Sequence, residues 1–153
     1  MNDNAAKRLA RLAAVQALYQ GTYEQQPLAE IVRDSIDRNF ESLRDESDNG
    51  EAIKGMPDAA LFSAIVEGVT AHQTDLDDMI VGALDAKLTI NRLETLLRVI
   101  LRAGAFELHH HGQIPTGVII NDYVDVTCAF FNGKEPGLVN GVLDKLAGKL
   151  RAD

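Results

Sequence analysis

The sequence predicts an all-α fold of six or seven helices, and three observations predict it. Apolar residues recur three and four apart through every long segment, the period of a helix with one buried face. Alternating, strand-like runs are scarce. Large rings are few, with five Phe, three Tyr and no Trp, while the strong helix formers Ala and Leu are frequent. At 153 residues, 46% hydrophobic and 25% charged, the chain has an ordinary globular composition that fits one domain or two small subdomains sharing a core.

The first helix is read from "NAAKRLARLAAVQALYQ", residues 4–20. Ala10, Ala13, Ala14 and Ala17 fall on one arc, where small side chains let another helix approach. The opposite arc carries Lys7, Arg8 and Arg11 near its start and Val15, Leu18 and Tyr19 further on. That face changes from basic to apolar along its length, so its far half is expected in a core and its near end is expected to project three cations past the core edge. A helix N-terminus already carries partial positive charge. Basic residues there do not serve helix stability; they suit an anionic partner, or else a solvated helix end.

Pro27 permits a second helix, with Leu28, Ile31, Val32, Ile36, Phe40 and Leu43 at helical spacing. The polar stretch 44–57, with Gly50, Gly55 and Pro57, reads as a loop. A further helix is expected from about Asp58, burying Phe62, Ile65, Val69, Leu76 and Ile80, with His72 on the same stripe as a core or boundary side chain. The strongest pattern follows: Leu93, Leu96, Leu97, Ile100, Leu101, Gly104, Ala105 and Leu108, with Asn91 and Glu94 spaced as a capping box. His109, His110 and His111 close it. Consecutive histidines diverge on a helix, poor geometry for one metal ion, and sit favourably at a helix C-terminus beside Gly112. After Pro115 comes a widely apolar helix with Ile119, Tyr123, Val126 and Phe130; after the turn "NGKEPG" comes a last helix with Val139, Val142, Leu143, Leu146 and Leu150. Pro136 is placed at a first helical position. Gly137 and Gly141 share a face expected to allow close approach.

Little in the chain points to catalysis. It lacks a phosphate loop, a dinucleotide-binding glycine pattern, a nucleophile elbow, a zincin motif and a cysteine pair. No enzyme activity, cofactor or metal is expected. A single cysteine, Cys128, excludes an internal disulfide and suits a reducing compartment. Residues 1–20 do not read as a leader, and no apolar run approaches a membrane span; the expected location is cytoplasmic. Net charge is −8. Residues 1–12 hold three cations and one acid, net +2; the remainder holds 12 basic and 22 acidic side chains, net −10. Contact with nucleic acid must therefore be local rather than through a broad basic field.

The motifs "AVQALYQ" (14–20), "ILRAGAFEL" (100–108), "IPTGVIINDYVDV" (114–126) and "LVNGVLDKLA" (138–147) occur in an order that closely resembles the NusB family of bacterial transcription antitermination factors. The resemblance implies a single NusB-like domain, 1–153, of two packed helical-bundle subdomains at about 1–84 and 85–153. It implies binding of boxA, a short single-stranded element of nascent RNA, as a heterodimer with the ribosomal protein NusE, and entry into the RNA polymerase antitermination complex that carries transcription through ribosomal RNA operons. Lys7, Arg8 and Arg11 match the family's basic start and would meet RNA phosphate. Gln16 would read a base edge and Tyr19 would offer a ring or hydroxyl, against plain helix packing as the alternative role. The turn around Lys134 to Leu138 would add to the RNA face. Relatives commonly have Phe where this chain has Leu138, so that stacking ring is absent, or Phe130 or Phe131 supplies one. Asp122 stands where relatives carry Glu. Partner contacts are expected around Glu94 and Arg98. No membrane partner is expected, and a homodimer stays open. The alternatives are a helical adaptor without RNA binding, or the NusB-like domain of an RNA methyltransferase.

Overall fold

The computed structural model describes residues 3–24, 57–84 and 93–151. These hold six helices and no strand: α1 (Asp3–Glu24), α2 (Ala59–Ala71), α3 (Gln73–Ala83), α4 (Thr95–His110), α5 (Thr116–Phe130) and α6 (Glu135–Leu150). The expected helix from Pro27, the loop before residue 57 and the Asn91 cap lie outside the described residues. The chain divides into two compact units, residues 1–67 and 68–153. Within the second, α3 packs on α4 and α6.

In the first unit the alanine arc of α1 is buried as expected, Ala10, Ala14 and Ala17 completely and Ala13 nearly so. The Asp58 amide donates to the Ala6 carbonyl (3.0 Å), tying the entry of α2 to α1. The Asp58 carboxylate accepts from the Leu61 amide (2.9 Å), filling a donor that a helix N-terminus leaves open. Phe62, Ile65 and Val66 are buried from there.

The stripe expected as one helix is two. Hydrogen bonds carry on through His72, whose N–H donates to Gly68 O (3.0 Å) and whose O accepts from Leu76 (2.9 Å). The backbone at His72 opens to φ −117°, ψ 21°, which ends α2 and restarts as α3. His72 is exposed there and not in the core.

In the second unit α4, α5 and α6 pack on one another. From Val99 to Leu108, α4 is buried all round except at Arg102, as befits a central helix. Arg102 forks onto Asp77 of α3 through Nε–Oδ1 (2.7 Å) and Nη2–Oδ2 (3.0 Å). Gly104 makes room for α6: a Cβ there would stand 2.8 Å from a Leu143 methyl. Gly137 and Gly141, expected to serve close packing, have open space around them; they lie on the solvent side of α6. Pro136 occupies the first turn of α6, where its missing N–H leaves no bond unmade.

Candidate nucleic-acid interface

α1 presents the residues singled out for RNA. Arg8, Gln16 and Tyr19 are exposed and Lys7 is partly so. At 100° per residue, Arg8, Tyr19 and Gln16 fall within about 80° of each other, so one face of α1 offers a cation, an amide and a ring. Asn4 is exposed on the same face. Sequence reading passed over it, although its spacing of four from Arg8 was the available signal.

Arg11 departs from expectation. Its side chain is completely buried, so it does not join Lys7 and Arg8 on a projecting tip. The changeover from basic to apolar surroundings comes one turn earlier, between Lys7 and Arg11. A guanidinium enclosed in the interior fixes packing and takes its partners from the protein.

The second candidate stretch belongs to the second unit. Lys134 is exposed, and its carbonyl accepts from the Leu138 amide (3.1 Å) at the start of α6. Leu138 is half-buried. Phe130, at the end of α5, is 39% exposed and presents a ring to solvent, while Phe131 is half-buried. Asp122 is buried on α5. Of the residues expected at a protein partner, Glu94 is exposed; Arg98 is half-buried and its Nη2 donates to Thr95 Oγ1 (3.0 Å).

These surfaces offer hydrogen bonding, cationic contact and stacking. Among the described residues no group of His, Cys, Asp or Glu is arranged to hold a metal ion, and no helix is long and apolar enough to cross a membrane.

Residues 8–148 match the model of the NusB family. The chain is 38% identical over 152 residues to the transcription antitermination protein NusB of Sphingopyxis alaskensis, covering 99% of each chain. It is 42% identical over 146 residues to that of Sinorhizobium fredii, covering 94% of this chain and 87% of the relative. Among solved structures, T. maritima NusB superposes with a TM-score of 0.73 at 24% identity, over 94% of this chain and 91% of that one. A structure of antitermination factors NusB and NusE in complex with double-stranded RNA gives 0.73 at 24%, over 94% and 97%. At such identities the superpositions establish the fold.

Proposed function

The chain belongs to the NusB family, the transcription antitermination proteins, and from that membership we propose that it binds a boxA-type single strand of nascent RNA together with the ribosomal protein NusE. The observation that carries the RNA reading is the α1 face, where Arg8, Gln16 and Tyr19 stand exposed together. Phosphate meets Lys7 and Arg8. Gln16 reads a base edge, and Tyr19 lends a ring for stacking, the usual way a protein holds an unpaired base. Lys134 adds a second phosphate contact at the start of α6. Phe130 supplies the stacking ring that Leu138 lacks.

NusE supplies what the acidic body cannot. With net charge −10 beyond residue 12, the chain repels RNA at a distance, and a basic ribosomal partner offsets that field. Glu94 and Arg98 contribute to the partner surface. The pair then joins elongating RNA polymerase in the cytoplasm and helps it through ribosomal RNA operons. Titration of boxA RNA into the protein alone and into its mixture with NusE tests this. The mixture is expected to bind more tightly; equal affinities would contradict the proposal, and no RNA binding in either would favour a plain helical adaptor.

A further inference from the structure

Two contacts, one helical turn apart, join the end of α2 to the end of α4. At the first, a Cβ on Gly68 would lie 2.2 Å from the Phe106 ring, so the missing side chain is what admits the ring. Four residues further along each segment, the rings of His72 and His110 stack with centroids 5.1 Å apart and planes 26° apart. His109 stands edge-on to His110 at 4.5 Å, and Phe106 lies 4.8 Å from it on the core side.

Asp75, three residues on from His72 in the first turn of α3, is the acid that follows the stack on that helix. His72 faces His110 from the α2–α3 turn, and His109 and His111 face it from its own segment. Glu107 is turned inward: its Oε2 accepts from the Tyr123 hydroxyl of α5 (2.6 Å), and its Oε1 lies 3.1 Å from His111 Nδ1. Asp77 of α3 is engaged by Arg102. Arg151, just past α6, lays its guanidinium on backbone carbonyls of residues 107, 108, 111 and 114 and brings another cation to this end of α4. A proton taken up by His110 goes into a cluster with His72 and His109, and like charges in contact repel.

We propose that the His72–His110 stack is an acid-released clasp, which holds the α2–α3 turn against the end of α4 while His110 is neutral and opens when His110 takes a proton. In keeping with this, the His110 pKa lies below its ordinary 6.5, through burial first and then through His109, His72 and His111. At His110 the folded chain therefore binds less proton than the unfolded chain as pH falls past 6.5, and the contribution of the clasp is lost in that direction.

Amide exchange and imidazole NMR titration on the whole protein test the clasp. Between about pH 7.5 and 5.5, protection of the Leu76 amide, which bonds to His72 O, should fall severalfold relative to amides of α5. His110→Phe, which keeps a ring without a titrating group, should hold that protection level, and His110→Gln serves the same comparison if the Phe variant folds poorly. His72→Asn should raise the His110 pKa. Protection that stays flat in the unaltered protein, or falls equally in the His110 variants, would overturn the proposal. So would a His110 pKa unmoved by His72→Asn.

Discussion

Arg8 and Arg11 sit three positions apart on one helix and meet opposite surroundings, Arg8 in solvent and Arg11 fully enclosed. Their replacement by Ala should separate accordingly. Arg11→Ala removes a fully buried charged side chain and should cost about 2 kcal/mol or more, read as a lower urea midpoint at unchanged slope. Arg8→Ala should stay within about 0.5 kcal/mol and act on RNA affinity instead. A similar loss of stability in both variants would mean that the two are not differently placed. Gly68→Ala drives a methyl into the Phe106 ring and should destabilise by about 1–3 kcal/mol, the usual range for an overfilled core. Tyr123→Phe withdraws the 2.6 Å hydrogen bond from Glu107 and should cost about 1 kcal/mol; a Tm equal to that of the unaltered protein would show the bond to be idle.

At the scale of elements, the end of α4 is held by a residue outside any helix. Arg151 donates to the carbonyls of Leu108 (2.9 Å), His111 (2.7 Å) and Ile114 (2.6 Å) and to Thr116 Oγ1 (3.2 Å). It thereby joins the orphan carbonyls of α4 to the turn that starts α5. Arg151→Ala should lower stability by about 1.5–3 kcal/mol, as for hydrogen bonds to a charged group, and should raise amide exchange at Ile114 before that of the α4 interior. Exchange rising equally everywhere would contradict this local role. None of it was legible in "KLRAD", because all the partners but Thr116 Oγ1 are main-chain carbonyls, which leave no mark on residue type. The helices themselves were legible, since the 3.6-residue period of Ile100, Leu101, Gly104, Ala105 and Leu108 records one buried face. The period does not say how far along a helix the cover extends, so Arg11 was expected outside. It does not say which small residues meet a neighbour either: Gly104 does and Gly137 and Gly141 do not. The α1 face was legible as a cluster of chemistry. The pairing of His72 with His110, far apart in sequence, was not.

The whole molecule carries net charge −8, with Lys7 and Arg8 at the start of α1 and Lys134 before α6 among the cations set against an acidic excess. RNA affinity drawn in part from Lys7 and Arg8 should lose that part of its salt dependence when they are removed. The direct measurement is a salt titration of boxA RNA binding to the NusE mixture, comparing the unaltered chain with Lys7→Ala/Arg8→Ala. Arg11 is left in place because it is buried. Each lost phosphate contact removes up to about 0.7 from the log–log salt slope on a single strand. The double variant should therefore bind more weakly, with a slope shallower by up to about 1.4, while its Tm and its binding to NusE hold. Unchanged affinity and slope in the double variant would contradict the assignment of the α1 face to RNA.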